Sequence, residues 1–279
     1  MQLLDGKKVR EERTPVLVER LKALSFVPGF VIIQIGNRED STAFIAAKKA
    51  FAKKLGVKEI HIQLEEKVTG KEIISVIQKY NGDKEVQGII LQLPLPIHID
   101  SDEVIDAILP SKDIDGLTSY NVKRWMNGHE NAFMPATTRG IKELLEHYSI
   151  DLFGKKVTIV GRSSLVGKPT ALMCLNQNAT VTICHSKTVG LENETKKADV
   201  LIVAIGKPSF IGKTFVSKGQ VVIDVGITRL SNGKLSGDVN FEEAKSIVGS
   251  LTPVPGGVGQ MTVLALFENL VDACYNGKN

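Results

Sequence analysis

The stretch Lys156-Val157-Thr158-Ile159-Val160-Gly161-Arg162-Ser163-Ser164-Leu165-Val166-Gly167, continuing to Asn176, decides the fold. Residues 156–160 read as a buried strand, Gly161-Arg162-Ser163-Ser164 as a turn, and Leu165 to about Asn176 as a helix. Strand, glycine turn and helix in that order make the opening of a dinucleotide-binding unit, where free N–H groups at the helix start face phosphate. The spacing is not GxGxxG, because Ser163 stands where the second glycine is usual. Alone, the stretch is equally an ordinary βα turn.

Working outward, Ala179–Cys184, Asp199–Ala204 and Val221–Val225 read as further strands of the same unit, with helical segments between some of them. On the N-terminal side, Phe30–Ile35, Val57–Leu64 and Gly88–Leu93 read as strands, the last stopped by Pro94 and Pro96. Ser41 reads as the cap of a helix with the apolar stripe Phe44, Ala47, Phe51 and Leu55, ending at Gly56. Lys71–Tyr80 and Ser101–Leu109 read as helices, and Pro110–Asn121 as a polar turn-forming stretch. Met261–Tyr275 reads as a final apolar helix after Pro253-Val254-Pro255-Gly256-Gly257-Val258-Gly259; it is expected to pack back onto the first unit, since the second already has its full set of elements. The alternation predicts an α/β protein of two units with parallel sheets.

Composition narrows the function. With 279 residues and 43% apolar content, the chain can bury a sizeable core without staples. A net charge of +4, with no aromatics interleaved among its lysine pairs, argues against a nucleic-acid binder. It suits phosphorylated cofactors or polycarboxylates. Cys174, Cys184 and Cys274 form no CxxC pair, which points to a reducing cytosol, and no His/Cys grouping suggests a metal site. No apolar run approaches the length of a membrane span, and the start becomes charged too early for a signal peptide.

The second strand end of the dinucleotide unit reads Cys184-His185-Ser186-Lys187-Thr188, with no acid to accept ribose hydroxyls. A hydroxyl and a lysine there, with Arg162 in the turn, suit a 2′-phosphate, so NADP is favoured over NAD. The chain has 8 Arg against 27 Lys, which makes an arginine in that turn less apt to be surface decoration.

Three polar features interrupt the apolar logic of the first unit. Lys48 follows Phe44 by one helical turn, and an ordinary solvated lysine is its plain reading. Gln92 lies inside an apolar strand and reads as a buried, hydrogen-bonded amide that either serves a site or satisfies a loop. Asp113 and Asp115 are turn formers or an acidic ligand, and the calcium-loop pattern is absent.

Taken in order, these segments resemble the methylenetetrahydrofolate dehydrogenase/cyclohydrolase family over nearly the whole chain. The resemblance rests on Ile35-Gly36 with Ser41 and Lys48, on Gly88-Ile89-Ile90-Leu91-Gln92-Leu93-Pro94-Leu95-Pro96, and on Pro110-Ser111-Lys112-Asp113-Ile114-Asp115-Gly116. It continues through Gly161-Arg162-Ser163, Cys184-His185-Ser186, Ala204-Ile205-Gly206-Lys207-Pro208, Ile223-Asp224-Val225-Gly226-Ile227 and Gly237-Asp238-Val239. It closes with Thr252-Pro253-Val254-Pro255-Gly256-Gly257-Val258-Gly259.

The resemblance implies a folate/catalytic domain at 1–120, completed by 255–279, and a Rossmann-like NADP domain at 138–254. It implies oxidation of 5,10-methylenetetrahydrofolate to the methenyl form with NADP, followed by hydrolysis to 10-formyltetrahydrofolate. Lys48 matches the family's essential lysine, Gln92 the glutamine that positions it, and Asp115 the carboxylate that holds the pterin. Phe44, Leu91, Leu93, Pro255, Gly256, Gly257, Val258 and Gly259 fall at the other folate-binding positions, the glycine run letting backbone approach the substrate. Gly161, Arg162, Ser163, Ser186 and Ile227 fall at cofactor positions. A cytoplasmic homodimer formed through the second domain is also implied, with the apolar strand Ala198–Ile205 compatible with that role.

Three departures stand out. The family usually has tyrosine at Phe44, Pro-Cys-Thr where this chain has Pro135-Ala136-Thr137, and Gly-Pro-Met-Thr at Gly259-Gln260-Met261-Thr262. Phe44 keeps a stacking ring but lacks a hydroxyl, which motivates an alternative: a dehydrogenase with weak or absent cyclohydrolase activity. Lys48, Gln92 and Asp115 together speak against a binding protein without catalysis.

Overall fold

The longer strands go into two parallel sheets, and Thr228–Arg229 with Leu235–Ser236 make a short antiparallel ribbon, in a computed structural model that describes residues 1–129 and 132–276. The chain divides into two compact units. One contains Met1–Glu12 and Thr137–Thr262, the other Arg13–Ala136 and the chain from Val263 onward.

The smaller sheet has Gly29–Ile35 at its centre, flanked by Lys58–Leu64 and Gly88–Leu91. Every residue of the central strand is buried, as expected for a parallel strand covered on both faces. On one face, Val31, Ile33 and Ile35 join Ile73, Ile77, Ile89 and Val104 in a core with the helices Gly70–Gly82 and Ser101–Asp106. Phe30 points the other way, edge-on to Phe267 at 5.3 Å between ring centroids. Phe51, from the helix Glu39–Leu55, meets the same Phe267 ring at 5.3 Å. Edge-to-face pairs add about 0.5–1.5 kcal/mol each beyond area burial. They tie the final helix, Val258–Asn276, to this unit, so the expected return of that helix occurs.

The larger sheet has six parallel strands in the order Gln2–Leu3, Ser250–Leu251, Val221–Asp224, Val200–Val203, Lys156–Val160, Thr180–Cys184. The strand order reverses direction at Lys156–Val160, whose two neighbours are the next strands along the chain. Ligands of open α/β sheets bind outside the carboxyl ends of strands at such a switch point.

Several expectations need correction. Residues 1–12, expected in the N-terminal domain, belong to the six-stranded unit, because Gln2–Leu3 adds to the edge strand Ser250–Leu251. Residues 255–262, expected to complete the N-terminal domain, go to the six-stranded unit, and the chain between the two expected domains divides at Ala136 and Thr137. Residues 277–279 of the expected completing segment lie outside the described residues. Ser41 is not a cap: the helix begins at Glu39 with Arg38 as its N-cap, and Ser41 is buried inside its first turn. The stripe Phe44–Ala47–Phe51–Leu55 is one position out of phase. The buried positions are Ser41, Ile45, Lys48, Phe51 and Ala52, while Ala47 is exposed. The strand read as Gly88–Leu93 ends at Leu91. The stretch Pro110–Asn121 conceals the start of a helix, Ser119–Met126.

Candidate active site

Lys48 occupies the middle of the buried helix face, one turn beyond Ile45, and only 6% of it is exposed. The solvated reading of this lysine is therefore overturned. Its Nζ donates to Gln92 Oε1 at 2.9 Å. The amide is held from the other side, since Gln92 Nε2 donates to the Leu93 carbonyl at 2.9 Å and Gln92 N to the Ile33 carbonyl at 2.8 Å. With its N–H₂ committed to backbone, Gln92 has only its oxygen to offer the lysine. Burial pushes the Lys48 ammonium below its ordinary range, and the charge of Asp115 opposes that fall.

Asp115 is placed by the loop that follows Pro110–Lys112. Burial raises its carboxyl above the usual carboxylate range, Lys48 pulls it back, and Asp113 pushes it further up. Lys48 and Asp115 are therefore coupled within one desolvated site, each offsetting part of what burial does to the other.

The two acids of Lys112-Asp113-Ile114-Asp115-Gly116 divide their roles, which the sequence left open. Asp113 is 1% exposed and wholly structural: its oxygens accept from Leu117 N, Thr118 N, the Thr118 hydroxyl at 2.7 Å and Asn121 Nδ2 at 2.9 Å. Lys112 Nζ donates to the carbonyls of Tyr80 and Asp83, closing the end of the helix Gly70–Gly82. Gly116 turns the chain at φ 71°, and a Cβ there would sit 2.7 Å from the Met134 backbone. Asn269, on the returning helix, donates to the Ile114 and Met134 carbonyls. These clamps occupy Asp113, and Asp115 is the acid whose charge acts on Lys48. Sequence reasoning missed Thr118, Asn121 and Asn269; an aspartate with a threonine five residues on and an asparagine eight on was the available signal.

Phe44, Leu91 and Leu93 lie in the same unit as Lys48, Gln92 and Asp115, with Leu91 buried and the other two partly so. The remaining candidates lie in the six-stranded unit. Gly161 follows the strand Lys156–Val160 at φ 133°, and a Cβ there would overlap the Ala204 carbonyl oxygen. A Cβ on Gly167 would overlap the Gly161 carbonyl, so Gly161 lets the turn pass Ala204 and Gly167 lets the helix start close on the turn. Arg162, Ser163 and Ser164 are exposed at the switch point. Ser163 Oγ accepts from Val166 N and Gly167 N, both at 3.2 Å, so these helix-start donors, which the sequence reading left for phosphate, are already capped. Ser186 and Lys187 are exposed beyond Cys184, on a turn closed by His185 N to Thr188 Oγ1 at 2.8 Å.

The glycine run has internal duties that the backbone-approach reading did not include. A Cβ at Gly257 would lie 2.5 Å from the Pro253 carbonyl, and one at Gly259 would lie 2.8 Å from Ile227 Cδ1. Val258 and Gly259 already belong to the final helix, Pro255 is exposed, and Gly256 sits at φ 114°. Among the described residues no group of three or more His, Cys, Asp and Glu side chains is placed to hold a metal ion, and no helix is long and apolar enough to cross a membrane.

Residues 4–115 match the family model described as tetrahydrofolate dehydrogenase/cyclohydrolase, catalytic domain, and residues 135–278 match the model of its NAD(P)-binding domain. The chain belongs to the tetrahydrofolate dehydrogenase/cyclohydrolase family. It is 46% identical over 272 residues to the bifunctional protein FolD of Bacillus velezensis, covering 96% of each chain. Its structure is similar to that of the bifunctional FolD enzyme of Campylobacter jejuni, with a TM-score of 0.95, 40% identity and 99% of each chain covered. The Trypanosoma brucei dehydrogenase-cyclohydrolase, solved with NADP and an inhibitor, gives a TM-score of 0.94 at 30% identity, over 99% of this chain and 98% of that one. Tetrahydrofolate dehydrogenase/cyclohydrolase membership in both domains favours the bifunctional reading over the single-activity alternative raised by Phe44.

Proposed function

We propose that Lys48, Gln92 and Asp115 perform the chemistry of this bifunctional enzyme, which oxidises 5,10-methylenetetrahydrofolate with NADP and hydrolyses the methenyl product to 10-formyltetrahydrofolate. The observation that carries the assignment is the buried Lys48–Gln92 hydrogen bond beside Asp115. NADP, when bound, accepts the hydride, and the glycine-lined turn at Gly161 with exposed Arg162, Ser163 and Ser186 fits its phosphates. Oxidation leaves a cation on the folate and needs no proton at the reacting carbon. Hydrolysis moves protons instead: water adds to the methenyl carbon and loses a proton, the bond from that carbon to the ring nitrogen breaks as the nitrogen takes a proton, and the remaining hydroxyl proton leaves as the formyl C=O forms. A desolvated lysine gives up its proton more readily than a solvated one, so Lys48 serves as the acid/base group. Gln92 orients Lys48, and Asp115 pairs its two oxygens with N–H donors of the pterin. Phe44, Leu91 and Leu93 line the folate on this unit, Pro255–Gly259 approach it by backbone, and Ile227 touches the cofactor.

Lys48→Met tests the assignment. Methionine keeps the length and apolar packing of the stem and removes the ammonium. Cyclohydrolase activity should vanish while the dehydrogenase keeps a larger share, so methenyltetrahydrofolate should accumulate by its ultraviolet absorbance. Full hydrolysis in this variant would remove Lys48 from the mechanism.

A cytoplasmic homodimer without a nucleic-acid partner completes our reading. The strand Ala198–Ile205, compatible by its apolar character, lies inside the six-stranded sheet and is fully buried at Val200–Val203, so it offers no surface. The edge strand Thr180–Cys184 does: among the described residues no strand lies on its outer side, and Ile183 is 41% exposed. Buried Cys174 and Cys184 are free thiols, which supports a reducing compartment.

A further inference from the structure

Two carboxylates of the six-stranded unit, Asp224 and Asp238, are buried and have no part in the chemistry above. Asp238, fully buried, has its Oδ2 accepting from Ile205 N at 2.6 Å and Gly206 N at 3.0 Å, and its Oδ1 from Lys207 N at 2.7 Å. Three successive backbone N–H groups thus close on one carboxylate, with Gly206 at φ 65° completing the curl. That loop begins at Ala204, whose carbonyl fixes Gly161 as glycine. Asp224 does the same for the neighbouring loops: Oδ1 accepts from Gly226 N and Asp238 N, both at 3.0 Å, and Oδ2 from Val239 N at 2.9 Å. A Cβ on Gly226 would run into the Asp238 carboxylate, and one on Gly237 into that of Asp224. The glycines of Asp224-Val225-Gly226-Ile227 and Gly237-Asp238-Val239 are therefore set by the acids beside them.

We infer that Asp238 is a positioning residue for the cofactor. It shapes the Ile205–Lys207 loop, which borders Gly161 at the switch point, and it packs on Gly226, next to Ile227. The inference rests on the assignment of Gly161, Arg162 and Ile227 to the cofactor. Asp224 holds Asp238 in place by taking its backbone N–H.

Asp238→Asn is the test. The amide nitrogen would confront a backbone N–H in place of an acceptor, opening the loop with little change in volume. NADP affinity, measured by titration of the folded protein, should fall about tenfold or more, since the loop loses hydrogen bonds that hold three of its successive N–H groups. The KM for NADP should rise, and the ratio of cyclohydrolase to dehydrogenase activity should rise with it. A merely structural role would lower both activities together with the folded fraction and leave that ratio and the KM unchanged, which would overturn the inference. Gly206→Val supplies a second variant: position 206 is exposed with open space around a Cβ, so the fold survives while the φ 65° curl is strained. It should weaken NADP in the same direction, and unchanged affinity in both variants would overturn the inference. Failure of Arg162→Ala to affect NADP, with Asp238→Asn still weakening it, would instead locate the error in the residues assigned to the phosphate.

Discussion

Arg162 stands exposed in the turn after Lys156–Val160, where its guanidinium is free to meet phosphate oxygens in pairs. Only NADP presents the 2′-phosphate, so Arg162→Ala should raise the KM for NADP by about ten- to a hundredfold, as loss of a charge-assisted pair does. The KM for NAD should change little, and equal losses for both would refute the assignment. Lys48 shows how one residue changes meaning with its surroundings. In sequence it is one of 27 lysines, and the apolar pattern around Phe44 leaves it at the edge of a stripe. A shift of the buried face by one position turns it inward. Composition carries no such information, because the phase of a helix is set by what packs against it; here Phe267, more than two hundred residues later, meets Phe51.

At the scale of elements, Asp113 and its partners form a clamp on which Asp115 depends. Asp113→Ala should strand the buried donors of Thr118 and Asn121 and lower stability by about 2–4 kcal/mol. The thermal midpoint should drop, and the folate KM should rise as Asp115 loses its setting; an unchanged midpoint would mean that water replaces the carboxylate. Strands and long helices of both units were legible from periodicity, because their apolar residues repeat. The clamp was not, since its parts recur at irregular spacing in a stretch that reads as a polar turn. The same holds for Gln2–Leu3 and Ser250–Leu251, two residues each, too short to show a period. The edge strand Thr180–Cys184 carries a further expectation. Ile183→Lys places a charge on an exposed position, and if this edge joins two copies, sedimentation should show a shift from dimer to monomer. A dimer unchanged by this variant would move the interface elsewhere.

Across the whole molecule, pH enters through the buried acids. Burial pushes the Asp224 carboxyl up to about 7, with Asp238 adding to the rise and the N–H groups of Val239, Asp238 and Gly226 opposing it. An unfolded aspartate ionises near pH 4. Above pH 7 the folded protein therefore bears a desolvated carboxylate in full, and that cost is relieved as pH falls from about 7 toward 4. The difference in unfolding free energy between the wild type and Asp224→Asn, followed by denaturant titration, should move in favour of the wild type over that window, by at most about 1.4 kcal/mol per pH unit. Parallel profiles would show that Asp224 ionises as it does in water.

The pairing of Gln2–Leu3 with Ser250–Leu251 also sets a timetable for synthesis. Gln2–Leu3 is the edge strand of its sheet, and its partner is synthesised far later than it is. At about 5–20 residues per second, roughly 250 residues of translation separate them, a wait of about 12–50 s. Neither unit is a continuous stretch of chain, because Met1–Glu12 waits for Thr137–Thr262, and Arg13–Ala136 for Val263 onward. Dividing the gene at codon 136 would therefore yield two fragments that each lack a piece of both units, and they should fold only when co-expressed.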